Sequence, residues 1–391
     1  MNIFRTFGRR LRLGVIGGGP GSFVGAVHRA AARIDDNFEI VAGVLSSDPV
    51  KSKMYGRDIG LAEDRAYGSV EEMFAAEHAR PDGIDVVAIM SSNGTHCQYA
   101  ESAVKYGLDI ICDKPLGSAL DECLALAKSV KEAGLVFCQT FSYTGFPMVR
   151  QARAMVREGD IGDIRMVQVE CVQGYAAEAS ADELSANPAN WRFHPDLNGP
   201  SLIFGDIGCH AHHMVSFVTG QEVVRLTAEV KAVVPGRKTS DTAGVLFNLE
   251  NGASGMMWVT NAGPGAVHGL RFRVFGSKGG LEWFQEEPNQ LFHSRLGQST
   301  LTLERRGFGL KGEADRVSRV GIGHPEGYFE SFASLYSDAA EAIVKRRLGQ
   351  DYTSAVRDMP TIEDGVRAMK FMDAALESSQ TGCWVDSRVY L

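Results

Sequence analysis

The apolar run Leu11–Ile16 ends directly in Gly17-Gly18-Gly19, and a helical pattern from Val24 to Ile34 follows. A strand, a glycine turn and a helix in that order leave few folds open. Glycines let the chain double back tightly and bring backbone N–H groups close to a phosphate, which the helix N-terminus favours electrostatically. The strict Gly-x-Gly-x-x-Gly spacing fails because Ser22 holds the third glycine position. Gly25 can serve instead, giving a longer loop through Pro20-Gly21-Ser22-Phe23-Val24 in which Ser22 adds a hydroxyl. The same residues suit a purely structural turn, but the flanking strand and helix favour a nucleotide site.

Strand-like runs at Glu39–Leu45, Asp85–Met90, Asp109–Cys112 and Val136–Thr140 alternate with helical patterns at Val70–His78, His96–Tyr106 and Leu120–Ala133. That alternation makes βαβ units and a parallel sheet. After about residue 164 the style changes. Ile164–Val172, Val223–Val234, Gly244–Glu250, Ala253–Thr260 and Leu270–Phe275 read as strands, with one helix near Ile207–Val218, which suggests an antiparallel sheet. Helical spacing returns at Tyr328–Lys345 and Ile362–Ser378, and Ala176–Ala189 reads as a surface excursion. A chain of 391 residues exceeds one comfortable core, so two domains are expected, divided at 142/143.

Net charge is −8 and no Lys/Arg-rich stretch carries interleaved aromatics, which argues against nucleic-acid binding. Seven cysteines without a Cys-x-x-Cys pair argue against a disulfide framework and for a reducing, cytoplasmic location. Arg9-Arg10 invites comparison with a twin-arginine signal, but the apolar stretch behind it is only Leu11–Ile16. No run is long enough to span a bilayer.

The chemistry-bearing residues lie in two stretches. In Cys112-Asp113-Lys114-Pro115 a lysine follows a strand and is held extended by the proline, where an α/β sheet delivers side chains to a ligand. In Gly205-Asp206-Ile207-Gly208-Cys209-His210 the acid and the histidine are four apart and share a face if a helix starts there. Oxidising a secondary alcohol needs a base for the hydroxyl proton and a cation for the developing alkoxide. His210 suits the base, Lys114 the cation or an acid/base, and Asp206 a hydroxyl acceptor. Each also has a plain reading: a loop lysine, a helix N-cap and a packed core histidine. His210, His212 and His213 suggest a metal cluster, but neighbouring helix positions point apart, and no metal is expected. At the end of the second strand Ser46 and Ser47 stand where an acid usually meets the ribose, with Lys51 nearby; this leans to NAD and leaves NADP open.

With those residues in view, the chain from Leu11 to Ser387 resembles the Gfo/Idh/MocA oxidoreductases, named after glucose-fructose oxidoreductase and inositol dehydrogenase. Asp113-Lys114-Pro115 resembles the family's Glu-Lys-Pro, and Ser92-Asn93-Gly94-Thr95-His96 its Pro-Asn-x-x-His turn. Trp191-Arg192 resembles a Trp-Arg pair, and Asp206 to His210 the Asp-x-Gly-x-His helix start. Phe275-Gly276-Ser277-Lys278-Gly279-Gly280 and Pro360-Thr361-Ile362-Glu363-Asp364-Gly365 resemble later signatures. The resemblance implies an α/β chain. Residues 1–142 would form a dinucleotide-binding Rossmann domain with a parallel sheet. Residues 143–391 would form an α+β domain on a large open, mainly antiparallel sheet, for substrate binding and oligomerisation, with the C-terminal helices packing back. It implies NAD(P) and a homodimer or homotetramer. Cofactor contacts are expected from Gly17, Gly18, Gly19, Ser22, Phe23, Ser46, Ser47, Lys51, Ser91, Ser92, Asn93, His96, Asp113, Lys114, Trp191 and Arg192. Substrate contacts are expected from Tyr143, Arg192, His194, Asp206, His210 and His213. The chain departs from the family at His213, where an aspartate is common, and at Phe141-Ser142-Tyr143-Thr144, which lacks an arginine.

The expected activity is NAD(P)-dependent oxidation of a secondary hydroxyl on a sugar, polyol or glycoside. The alternative is a glycosidase that oxidises, eliminates, hydrates and re-reduces, acting on a sugar for which Arg192 and His194 suit an anionic group. A fold kept for sensing without turnover is a third reading, opposed by the retained lysine and Asp/His pair.

Overall fold

The computed structural model describes residues 2–179 and 192–390. The chain divides into two compact units: unit 1 is Met1–Ser142 with Phe332–Gly365, and unit 2 is Tyr143–Ser331 with Val366–Leu391.

In unit 1, β1 (Leu11–Gly17), β2 (Phe38–Val44), β3 (Val86–Met90), β4 (Asp109–Cys112) and β5 (Phe137–Gln139) form a parallel sheet in the order β2-β1-β3-β4-β5. β3 is buried at every position, which explains its unbroken apolar sequence. β2 and β3 flank β1, so the order of strands reverses there; open α/β sheets bind ligands at the carboxyl ends of strands beside such a point. Helix ends follow their caps. Ser69 Oγ accepts the Glu72 N–H at 3.1 Å to open Val70–His78, and Gly134 at φ +61° closes Leu120–Ala133.

The stretch Phe332–Gly365 belongs to unit 1, where a single division at 142/143 puts it with the second domain. Two sets of contacts hold it. Phe332 and Tyr336 meet the His28 ring at 5.2 and 5.8 Å, and Tyr336 meets Phe38 at 5.4 Å. Arg346 Nη2 donates to the buried Asp109 carboxylate at 2.7 Å, and Arg347 pairs with Asp85 at 3.2 Å.

Unit 2 is built on β6 (Ile164–Gln173), β7 (Val223–Lys231), β8 (Thr242–Leu249), β9 (Ser254–Thr260), β10 (His268–Gly276), β11 (Gly279–Phe284), β12 (Gln290–Arg295), β13 (Leu301–Glu304) and β14 (Val385–Asp386). Their order is β13-β12-β11-β10-β6-β9-β8-β7-β14. β6 and β9 run parallel and the remaining neighbours antiparallel. Helices Pro147–Arg157 and Cys209–Thr219 pack on this sheet. Trp283, fully buried, meets Phe146 at 5.4 Å and Phe272 at 5.9 Å, and its indole N–H donates to Pro288 O at 3.2 Å. Met166, Leu246, Met256 and Trp258 are each about half exposed, 50–54%, along β6, β8 and β9.

No helix among the described residues is long and apolar enough to cross a membrane. None of the seven cysteines forms a disulfide, and six of them are buried.

Candidate functional site

In unit 1 the glycine turn leaves β1 with Gly17 at φ +80° and Gly18 at φ +67°. A Cβ on Gly17 would lie 2.6 Å from Met90 O, and one on Gly18 2.7 Å from Gly25 Cα. Gly25, in the first turn of helix Phe23–Ile34, lies so close that its Cβ would be 2.2 Å from Gly18 O. Helix and strand therefore approach backbone to backbone, the geometry that a pyrophosphate-binding turn requires. Gly25 thus takes the part that the missing third glycine would play. Ser22 is the N-cap of this helix, its Oγ accepting the Gly25 N–H at 3.1 Å. Phe23 is exposed. Arg29, one helical turn on from Gly25, donates to Gly18 O, and burial followed by Arg33 lowers its pKa. Sequence reasoning missed this arginine because it lies in no motif; its spacing from Gly25 was the available signal. These glycines and the helix start fit an NAD pyrophosphate.

At the end of β2 the acid is spoken for. Asp48 Oδ1 accepts the Val50 and Lys51 N–H groups at 2.9 and 3.0 Å, starting helix Pro49–Asp58. Ser46 Oγ accepts the Asp48 N–H at 3.2 Å, and Ser47 and Lys51 are exposed. After β3, Ser91 and Thr95 hydroxyls are 2.7 Å apart, Ser92 is partly exposed, and Asn93 is buried in the short turn Asn93–Thr95. His96 stands behind this turn. Its Nδ1 is 2.8 Å from Pro115 O and its Nε2 3.1 Å from Ser91 O, and burial lowers its pKa. It stands between the ends of β3 and β4, where a neutral ring donates to one of the two carbonyls.

Lys114 lies beyond the carboxyl end of β4, partly exposed, and is joined to Pro115 by a cis peptide. Asp113 braces it: Oδ1 accepts the Lys114 N–H at 2.9 Å and the Thr140 hydroxyl at 2.8 Å. Gln139 Nε2 donates to Asp113 O at 2.8 Å. Burial alone would raise the Asp113 pKa, but His28, then Lys114 and His96, outweigh it and hold the carboxyl well below the usual range.

In unit 2 the segment around Asp206 is not a plain helix start. Phe204–Gly208 forms one wide turn, with the Cys209 N–H reaching Phe204 O five residues back, before helix Cys209–Thr219 begins. Such wide turns are frequent at functional positions. Asp206 Oδ2 accepts the Tyr175 hydroxyl at 2.6 Å and Asn261 Nδ2 at 3.2 Å. Tyr175 follows β6 and Asn261 follows β9, so the parallel pairing of those strands delivers both to one carboxylate. The Tyr175 ring is 54% exposed, yet desolvation of its hydroxyl and the Asp206 charge raise its pKa. Neither residue belongs to a motif, and sequence reasoning missed both.

His210, 7% exposed, forms a T-shaped pair with the Tyr143 ring at 4.8 Å and 86°. Burial, with Cys171, Tyr328, Asp206 and Cys209 around it, raises the Tyr143 pKa, so this phenol keeps its proton at neutral pH and acts as a donor. Tyr143, Asp206 and His210 are therefore neighbours. His213 is 3% exposed with its ring 5.8 Å from Phe217, and His212 packs at 4.5 Å on Phe371. The substrate contact expected of His213 falls on a buried ring beside Phe217. Arg192 is exposed, and His194 precedes the short helix Pro195–Asn198. Trp191 lies outside the described residues, as do residues 180–189 of the expected surface excursion.

Family models match both units. The model for the oxidoreductase family, NAD-binding Rossmann fold, matches residues 11–141, and that for the GFO/IDH/MocA C-terminal domain matches residues 149–282. The chain is 32% identical over 391 residues to an uncharacterized oxidoreductase of Bacillus subtilis, YfiI, covering 99% of each. It is 25% identical to the levoglucosan dehydrogenase of Pseudarthrobacter phenanthrenivorans, covering 97% of this chain and 98% of that one. Among solved structures, an inositol dehydrogenase homolog from Azotobacter vinelandii complexed with NAD+ superposes with a TM-score of 0.92 at 34% identity over 97% of each chain. Matches that span the glycine turn, the lysine and the Asp/His segment place the chain in the GFO/IDH/MocA oxidoreductase family, with an NAD-binding Rossmann domain at its N-terminal end.

Proposed function

We propose that the protein oxidises a secondary hydroxyl of a sugar, polyol or glycoside with NAD. The observation that carries the reading is the cluster of Tyr143, Asp206 and His210 in a chain that also presents Lys114 at a strand end of an NAD-binding unit. When bound, NAD supplies the hydride acceptor. His210 takes the hydroxyl proton at a ring nitrogen, and the Lys114 ammonium stabilises the oxygen as charge develops on it. Asp206, whose Oδ2 accepts from Tyr175 and Asn261, is the carboxylate acceptor for a neighbouring substrate hydroxyl. Tyr143 donates from its protonated phenol. The relatives support the substrate class, since their names give levoglucosan and inositol as the compounds concerned.

The test follows NADH absorbance across a panel of sugars, polyols and aryl glycosides while measuring free aglycone. NADH rising with substrate loss, and abolished in Lys114→Ala and His210→Ala, supports the reading; unchanged turnover in both variants removes it. A second reading, cleavage of a glycoside by transient oxidation, needs a second proton-transfer group, and Tyr143 beside His210 supplies one. It requires aglycone release without NADH accumulation.

We propose also that copies of the chain associate through the outer face of the unit 2 sheet. Half-exposed Met166, Leu246, Met256 and Trp258 on adjoining strands motivate this. Light scattering of Trp258→Glu is expected to give a smaller species than the wild type; an unchanged mass sinks the idea.

A further inference from the structure

His28 lies on helix Phe23–Ile34, is 1% exposed, and stands between two polar groups in the interior of unit 1. Its Nδ1 is 2.8 Å from the Tyr336 hydroxyl, and its Nε2 is 3.9 Å from Asp113 Oδ1. The rings of Phe332 and Tyr336 meet it edge-on and fix its plane. At 3.9 Å Nε2 makes no hydrogen bond to the carboxylate and has no other partner, but the Asp113 charge favours the tautomer that puts the ring hydrogen on that nitrogen. In the neutral ring Nδ1 is then the acceptor, and Tyr336 donates to it. Burial, with Cys138 and Asp113 nearby, raises the Tyr336 pKa and keeps that donor in place. A tyrosine, a histidine and an aspartate thus form a buried row ending at the residue that braces Lys114.

We infer that His28 is a positioning residue for Lys114: backed by Tyr336, its Nε2–H draws on the Asp113 charge that also acts on Lys114. This rests on the role proposed for Lys114. The groups that face Asp113 are His28 from the helix after the glycine turn, His96 from the helix after β3, Lys114 beside it, and Tyr336 from the C-terminal return. Cys112 of β4 is also within its field, and Cys138 of β5 lies by Cys112 and Tyr336. At the alkaline pH where Lys114 titrates, the bonds from the Lys114 N–H and the Thr140 hydroxyl favour the carboxylate form of Asp113 in the variants too. What changes is how much of its field reaches Lys114. Removing a positive pole from Asp113 strengthens its hold on the ammonium, so Lys114 gives up its proton at higher pH.

The experiment compares His28→Leu, His28→Gln and Tyr336→Phe with the wild type in the full chain. The glutamine amide nitrogen can occupy the place of Nε2 and restore the donor. Lys114 is titrated by trace acetic anhydride labelling and mass spectrometry, with exposed Lys128 as internal reference, and the alkaline limb of NADH formation is measured beside it. His28→Leu and Tyr336→Phe are expected to move the Lys114 titration and the alkaline limb upward together, by about 0.5 to 1 pH unit, while His28→Gln stays with the wild type. A Lys114 titration unmoved in folded Tyr336→Phe and His28→Leu overturns the inference, as does identical behaviour of the leucine and glutamine variants. Should the leucine variant fail to fold, the tyrosine and glutamine variants decide alone. If Lys114→Ala leaves turnover intact, the reading of Lys114 fails, and the labelling arm still judges His28 separately.

Discussion

Gly25→Ala isolates what the close approach behind the glycine turn contributes. The new Cβ would lie 2.2 Å from Gly18 O, 2.4 Å from its Cα and 2.6 Å from its carbonyl carbon. Those are backbone atoms that no rotamer change can clear. Reaching an ordinary 3.4 Å contact requires about 1.2 Å of separation between helix and turn, more than a packed interior absorbs without loss. Overpacking of this kind costs about 1–3 kcal/mol of stability. Displacing the turn should also remove one or two charge-assisted hydrogen bonds to a phosphate, each about 1.5–3 kcal/mol. Since 1.4 kcal/mol is a factor of ten, NAD affinity should fall roughly 10- to 100-fold for the loss of one such bond. Gly21→Ala is the control. Gly21 has φ +87° but nothing within 4 Å of its Cβ, so it suffers conformational strain of about 1–2 kcal/mol without displacing its neighbours. The assay is NAD titration by fluorescence beside urea unfolding. If Gly25→Ala binds NAD within twofold of the wild type, the close approach is not what shapes the cofactor turn.

Other perturbations test the remaining parts. Asn261→Asp puts a second carboxylate against Asp206; like charges favour the protonated form, so the acidic limb of kcat/KM should move upward, and an unmoved limb counts against Asp206 acting as an anion. Tyr143→Phe keeps the ring against His210 and loses only the donor, so kcat/KM should fall about 10- to 100-fold with the melting temperature nearly unchanged, as steady-state kinetics and calorimetry would show. Arg346→Ala strips the buried Asp109 of its 2.7 Å partner but leaves Arg347 Nε at 3.4 Å, and should destabilise by about 1–3 kcal/mol near neutral pH in urea unfolding. Burial already raises the Asp109 pKa. An acid raised in the folded state weakens stability as pH climbs from its unfolded value through its folded one, so the penalty should shrink toward pH 4. A penalty independent of pH would contradict that linkage.

The fold was legible where local rules and tertiary demands agree. Val70–His78, Asp109–Cys112 and Leu120–Ala133 have the bounds that periodicity and caps predict. Helix Pro49–Asp58 escaped because it buries little, Ser52 and Gly56, and so shows no apolar stripe; its Asp48-Pro49 start was the signal to read. Strands β11 to β13 are short, and hairpins of this size depend on pairing with β10 more than on their own pattern. At the candidate site Lys114, Asp206 and His210 came from motifs. Tyr175 and Asn261 did not, because they reach Asp206 across 31 and 55 residues of sequence through strand register alone. His28 likewise meets Tyr336 across 308 residues, a separation no window on the sequence can span.

That last separation bears on the order of synthesis. The nucleotide-binding unit needs Tyr336 behind His28 and Arg346 on Asp109, and its final residues extend to Gly365. An emerging chain of 142 residues already contains all five strands of the parallel sheet, but none of these partners. Translation proceeds at about 5–20 residues per second, so the two pieces of this unit leave the ribosome roughly ten to forty seconds apart. Throughout that interval the first-made domain waits with Asp109 lacking its arginine partners Arg346 and Arg347, while everything from Tyr143 to Ser331 is threaded out between its halves. The part of the molecule that begins first is among the last to be finished, and a nascent chain stalled before residue 332 would lack a completed cofactor unit.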